Sequence, residues 1–325
     1  MEKRRSATRL RMTGIILILS MFCLSACVGY ERLNVQSDVP SVPEFVAKNS
    51  ALLDQYWYYS RLDSAKQAAY QELYSAVQAW FSDDDTDLSP FIYTLDLPGR
   101  TVDGIDAFLD MRLDHTLISD YFNRTLSYLD TEDSVTFYGM NTDEALAFFG
   151  GPSVVRQQVR EIEAAADVFL SCLDESMSDY EKYWAIAKKL CDETKYDNEA
   201  GADIANNPGS FSQMAWTATS VYGGLVKHRS VCQGFAQTYK YLCNRAGLFC
   251  TIGNGTSLRN VLHAWNVIEL DDGYYHVDIT WMLSHKNRYF CLNDQQLLVD
   301  HIVTDKAIPE CNGSLFAYQG KLTKR

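Results

Sequence analysis

From Ser230 the chain reads Ser-Val-Cys-Gln-Gly-Phe-Ala-Gln-Thr-Tyr-Lys-Tyr-Leu-Cys-Asn-Arg-Ala-Gly, ending at Gly247. Phe235, Tyr239, Leu242 and Ala246 recur at helical spacing. The stretch is therefore expected to form one amphipathic helix with an apolar face turned to a core. Gly247 suits the left-handed position that ends such a helix. Cys232 then falls at or beside the helix start. The partial positive charge there stabilises a thiolate, and free backbone N–H groups at the same end can hold an oxyanion. A cysteine in that place is more often just a small buried residue, so the residues that follow decide the reading.

Leu248–Gly253 reads as a strand, and Val261–Leu270 as another that carries His263-Ala264-Trp265-Asn266. Asp271-Asp272-Gly273 makes a turn, and Tyr274–Trp281 is expected to return as a third strand. His263, Trp265 and Val267 share one face of the second strand; Tyr274, His276 and Asp278 share one face of the third. A cysteine on a helix with a histidine and an aspartate on adjoining strands is the layout of a thiol-based acyl transferase or hydrolase. The histidine takes the thiol proton, and the aspartate sets the imidazole tautomer and steadies the imidazolium. One tension stands in this layout. A tight hairpin at Asp272-Gly273 puts Asp278 opposite Asn266 or Val267, with His263 roughly 10 Å further along the strand. Twist, a bulge or another register has to close that gap.

The segments Ser230-Val-Cys-Gln-Gly-Phe-Ala236, His263-Ala-Trp-Asn266 and Tyr274-Tyr-His-Val-Asp-Ile-Thr-Trp281, in this order, resemble the core of the transglutaminase-like superfamily. Tyr183–Asp197 and Tyr289-Phe-Cys-Leu-Asn-Asp294 are similar to bacterial members, so the resemblance spans roughly Val155–Ile302. It implies an α+β fold: a papain-like, transglutaminase-like core with the catalytic helix packed on an antiparallel sheet. It also implies Cys232 as nucleophile, His263 as base and Asp278 as orienter, with Trp265 and Trp281 as aromatic walls of the substrate site. Ala264, Asn266 and Thr280 match as structural residues. The chain departs from the pattern just before the cysteine, where Lys227-His228-Arg229-Ser230 replaces small or glycine-rich residues.

The same residues allow other arrangements. His228 is a rival base by position, but its basic, looped surroundings favour a solvated role. A metal site from Cys232, His263 and His276 lacks a second thiol at ligand spacing; no metal or cofactor is expected. The acidic run Asp83, Asp84, Asp85 and Asp87 lacks the glycine and closing glutamate of a calcium loop and reads as a solvated turn. Six further cysteines, Cys172, Cys191, Cys243, Cys250, Cys291 and Cys311, permit disulfides in an exported chain, and spacing does not choose a pairing. Free buried thiols fit Cys172, Cys191 and Cys243 equally well.

Upstream, helices are expected over Ser64–Trp80 and Asp103–Leu113, and strands over Phe91–Leu97, Leu126–Leu129 and Ser134–Tyr138. A second helical block follows Gly150-Gly151-Pro152. Ser178 and Glu181 suggest a capping box for a helix reaching about Thr194. The polar segment Asn198–Gly209 breaks the pattern. The N-terminus has Lys3, Arg4, Arg5, Arg9 and Arg11 before an apolar run from Ile15 to Leu24. That is a secretory signal, too short to span a bilayer comfortably. Leu24-Ser25-Ala26-Cys27 resembles a bacterial lipobox and implies acylation of Cys27, hence a membrane anchor at the extracytoplasmic face. The organisation read from these signals is 1–27 signal and lipobox, 28–50 tether, 51–150 an N-terminal α/β accessory region, 151–310 the catalytic domain and 311–325 a tail.

The chain has 325 residues with a net charge of −13, and no basic stripe lies outside its first dozen residues, which argues against nucleic acid as a partner. The expected function is amide-bond chemistry at the cell surface through a thioester, by hydrolysis rather than cross-linking, on a peptide, a protein or a cell-wall peptide. The competing class is a non-catalytic binding or scaffold module on the same fold.

Overall fold

Asp63, in extended backbone, accepts hydrogen bonds from the amides of Ala65 and Lys66 and so starts the first helix, α1 (Ser64–Phe81). Ala69, Leu73, Val77 and Trp80 fall on its buried face, as their spacing requires. In the computed structural model, which describes residues 56–83, 88–210 and 212–320, this helix packs on α2 (Thr101–Asp114) and α3 (Thr116–Phe122). Strands β1 (Phe91–Asp96), β2 (Ser127–Asp130) and β3 (Ser134–Gly139) form an antiparallel sheet in the order β1-β3-β2. A short helix, α4 (Asp143–Phe149), ends at Gly150, whose φ of 81° is the left-handed stop that glycine permits. Pro152 then opens α5 (Pro152–Leu170), where a missing amide hydrogen costs nothing.

The capping box between Ser178 and Glu181 is present and starts α6 (Asp179–Glu193). The chain continues through β4 (Lys195–Tyr196), α7 (Asn198–Asn206), α8 (Gln213–Thr219), α9 (Val221–Leu225) and β5 (Arg229–Ser230), with β4 and β5 paired in parallel. Next come α10 (Cys232–Arg245), β6 (Cys250–Ser257), β7 (Leu262–Leu270), β8 (Gly273–Val277), α11 (Ile279–His285), β9 (Phe290–Leu292), α12 (Asp294–Leu297) and β10 (His301–Val303). Five of these strands make an antiparallel sheet in the order β10-β6-β7-β8-β9. The chain is thus an α+β protein.

Two expectations are corrected here. Asn198–Gly209 is not a mere break: Asp197 caps a helix over its first nine residues, and that helix buries only Ala200 and Ile204, too few to mark a periodicity. Tyr274–Trp281 is not one strand. β8 stops at Val277, and the Asp278 side chain accepts the Trp281 amide at 3.1 Å, turning Ile279-Thr280-Trp281 into the first turn of α11.

The apolar core has two lobes. One gathers α1, α2, α3 and the three-stranded sheet, with Ala215, Trp216, Ala218 and Val231 from the later chain. The other lies between α5, α6 and α10 and the five-stranded sheet. Helix α5 serves both, sending Val155 and Val159 into the first lobe and Ile162, Ala166 and Phe169 into the second. Helix α10 is wrapped on two sides. Phe235, Tyr239 and Leu242 enter the second lobe, each burying about 2 kcal/mol of apolar surface energy. Its Lys240, also buried, reaches the Leu113 carbonyl at the end of α2 at 2.5 Å.

Candidate active site

Helix α10 is seated before its chemistry begins. The Val231 amide donates to the Ala218 carbonyl at 2.9 Å, and the Ser230 hydroxyl donates to the same oxygen at 3.0 Å. Gly234, one turn in, lies so close that a Cβ there would meet this carbonyl at 2.2 Å. Asn266 of β7, fully buried, donates to the Ala236 carbonyl at 2.9 Å and ties the helix to the strand that carries His263. Cys232 is the first residue of the helix and is half-buried. Val231 offers no side-chain cap, so the first-turn amides beside the sulfur are not claimed by a capping group.

His263 stands on β7 with only 6% exposure, and its Nε2 meets Asp278 Oδ2 at 2.7 Å. The register that brings them together differs from the simple hairpin. Val277 pairs with Asn266, so Asp278 passes that point and lies beside Trp265, closer to His263 than a position opposite Asn266 or Val267. The ladder with β9 shifts between His276 and Val277, and the chain leaves the sheet at Asp278 to enter α11. Ladder shift and cap together swing the carboxylate across the gap. With Nε2 held by Asp278, Nδ1 is the ring nitrogen left for the Cys232 sulfur.

Burial works against a charge on His263, but the Asp278 carboxylate, its hydrogen bond and the contact with Cys232 outweigh it and raise the imidazole to about 10. For Asp278, burial favours the neutral acid, yet His263 and then His301 hold the carboxyl well below the usual carboxylate range. His301 Nε2 lies 3.2 Å from the same Oδ2, and its Nδ1 is 2.8 Å from Asp300 Oδ1. Asp300 in turn accepts the Tyr289 hydroxyl at 2.6 Å. Nothing in the sequence motifs pointed to His301. Its only signal is the Asp300-His301 pair on a short strand, and its place beside Asp278 follows from β10 pairing with the far edge of β6.

Tyr196 lies near Cys232 without any motif to mark it. β4 pairs it with Ser230, two residues before Cys232. Burial first, then the Cys232 and Asp197 charges, push its phenol up to about 12, so it stays a hydrogen-bond donor.

The two tryptophans part ways. Trp281 is half-buried and stacks on His263 at 5.3 Å and against His301 at 4.2 Å. Trp265 is 1% exposed and lies behind the histidine, its indole donating to His276 Nδ1 at 3.0 Å, so it supports the site from beneath and does not line it. His276 Nε2 is 2.9 Å from Asp294 Oδ1, so with the Trp265 indole on Nδ1 both ring nitrogens are engaged and neither is left for Cys232. The groups of possible metal ligands among the described residues are therefore others: His263 with Asp278 and His301, and His276 with Asp294 and Cys311. In both, the histidine nitrogens already share protons with the carboxylates. His228 is exposed in the turn before β5, with a φ of 53°. Cys172, Cys191, Cys243, Cys250, Cys291 and Cys311 are all free thiols. Cys27, the signal, the tether and most of the acidic run after Asp83 lie outside the described residues, among which no helix is long and apolar enough to cross a membrane.

No protein-family model matches the chain, and no curated protein does. Among solved structures it is similar to one described as the crystal structure of a TGase, at 15% identity and a TM-score of 0.31, over 60% of this chain. The match spans about half, 52%, of that solved chain. A likeness this partial says nothing about the fold or the activity of this chain.

Proposed function

We propose that this chain is a cell-surface cysteine enzyme of transglutaminase-like type that breaks amide bonds through a thioester. The observation that carries the reading is the 2.7 Å His263–Asp278 pair in contact with a cysteine at an uncapped helix start. His263, held as imidazolium by Asp278, faces the Cys232 sulfur with Nδ1, and the sulfur attacks the amide carbonyl carbon as the thiolate of that pair. The oxygen of the tetrahedral intermediate gains the negative charge, which the uncapped first-turn amides of α10 stabilise. When the intermediate collapses, the C–N bond breaks and the imidazolium returns its proton to the leaving amine. Water, deprotonated by the same imidazole, then adds to the thioester and releases the acid and the thiol. An amine in place of water gives transamidation. Peptides, surface proteins and wall peptides present the required bond, and hydrolysis is the favoured outcome. Asp278 holds the ring by Nε2 so that Nδ1 faces the sulfur, and its carboxylate steadies the imidazolium.

The test is alkylation of Cys232 by iodoacetamide at pH 6, read by peptide mass spectrometry with the exposed Cys172 as internal reference. Wild type is expected to react roughly tenfold or more faster than His263→Ala. Equal rates would mean the pair is not poised for proton transfer, and a binding module becomes the better description.

The anchor belongs to the same proposal and rests on the lipobox text at Cys27. In a bacterial host fed labelled palmitate, Cys27→Ser should carry no label while the unaltered chain does. Label on the variant sinks the anchor.

A further inference from the structure

Against Trp281 lies a cleft of about 350 Å³ between the β6–β7 turn and helix α11. Ser257 and Arg259 line it from the turn, and Thr280, Trp281, Ser284 and His285 from the helix. Trp281 is shared: the same ring that stacks on His263 forms one wall of the cleft, so a chain bound at the cysteine has this cavity next to it.

The chemistry of the lining is one-sided. Arg259 is exposed and makes no ion pair or hydrogen bond among the described residues, in a protein whose net charge is −13. The Thr280 hydroxyl oxygen is buried and has no hydrogen-bond partner. The one acid in the lining, Asp300, is already committed: to His301 at 2.8 Å, to Tyr289 at 2.6 Å and to Arg288 at 3.9 Å. The cleft thus presents a free guanidinium and the hydroxyls of Ser257 and Ser284, with the buried Thr280 hydroxyl beneath its wall and no uncommitted negative group. A planar five-donor fork beside hydroxyl donors matches a carboxylate.

We infer that this cleft is a substrate subsite that takes a carboxylate of the peptide, from an acidic side chain or a free C-terminus, with Arg259 as its charged contact. The inference rests on the reading of Cys232 as nucleophile for its meaning, but its test does not use that chemistry. It also explains how an acidic protein can receive an acidic substrate: the local charge beside the site opposes the global one.

The experiment is NMR titration of Cys232→Ala protein with blocked tetrapeptides. One carries Glu and its match Gln, both amidated; a third carries Gln with a free C-terminus. Binding is read from the Trp281 indole N–H resonance. One of the two carboxylate peptides is expected to bind about five- to tenfold more tightly than amidated Gln, and which one identifies the source. Arg259→Gln should erase the difference, and Arg259→Glu should turn preference toward a Lys peptide. Equal affinity of all three peptides, or a preference that survives Arg259→Gln, overturns the subsite. Failure of the nucleophile reading shows separately, as alkylation that does not depend on His263.

Discussion

Asp278 is the residue on which the site turns. One carboxylate accepts from His263, from His301 and from the Trp281 amide, so it holds the His263 imidazole and starts α11 at once. The pH consequence follows from its two imidazole partners. His263 is raised to about 10 when folded, so the stability its pairing contributes is fully present below the ordinary histidine value near 6.5. That contribution is lost as pH rises through 10. Asp278 is lowered, so its contribution is present above its ordinary value near 4 and is lost on acidification. Asp278→Asn is therefore expected to cost about 3 kcal/mol at pH 6, a buried pair broken on one side, and less at pH 10. Urea denaturation at the two pH values measures this; an equal cost at both would show that His263 is not charged in the fold. In the same variant alkylation of Cys232 should slow, because an amide N–H can donate to Nε2 and leave the ring proton on Nδ1, facing the sulfur, and an amide cannot offset an imidazolium.

At the scale of elements, the decisive object is the N-terminus of α10. Its position is set by contacts to the Ala218 carbonyl and by the absence of a side chain at Gly234, where a Cβ would meet both that carbonyl and the Ser230 hydroxyl oxygen at 2.2 Å. Backbone cannot yield as a flexible side chain can. Gly234→Ala should therefore displace the first turn, cost about 2 kcal/mol of stability and slow Cys232 alkylation in the folded protein. Denaturation and alkylation on one preparation test it; a variant as stable and as reactive as wild type would mean that the seat tolerates movement. The same scale explains the two misread elements. α7 buries two residues in nine, below what a periodicity shows. In Ile279-Thr280-Trp281 the β-branched and aromatic types favour a strand on propensity, and a single cap overrides them.

For the molecule as a whole, the N-terminal region is held to the cysteine's helix by more than apolar contact. Lys240, buried on α10, donates to the Leu113 carbonyl in the last turn of α2, where the helix dipole favours a cation. Beside it Asp114, also buried, accepts from the Tyr58 and Tyr59 amides and the Tyr70 hydroxyl. Trp216 and Val221 make two further links, to the Asp120 carbonyl at 3.2 Å and to its carboxylate at 2.8 Å. Lys240→Met leaves a carbonyl and a carboxylate without their cation and is expected to cost about 3 kcal/mol. Adding Asp114→Asn should recover part of that loss, because the buried charge goes too. If the double variant is no more stable than the single one, the two groups do not compensate each other.

Local signals carried much of this protein. The helical face of Phe235, Tyr239 and Leu242, the alternation through His263 and the Ser178–Glu181 box each depend on neighbours within a turn or a strand, and period and capping chemistry write those directly into the chain. So did the choice of Cys232, His263 and Asp278 as candidates, since residue type and spacing name chemistry without coordinates. What the chain order left open was every relation across elements. Whether Asp278 reaches His263 depended on a ladder shift and a helix cap; His301 joined them only because β10 closes the far edge of the sheet; Trp265 went under the site and Trp281 beside it although both flank the same motifs. The reason is physical. A strand's side chains alternate by two, so one step of register exchanges buried for open, and register is settled by the packing of the whole sheet rather than by any one strand.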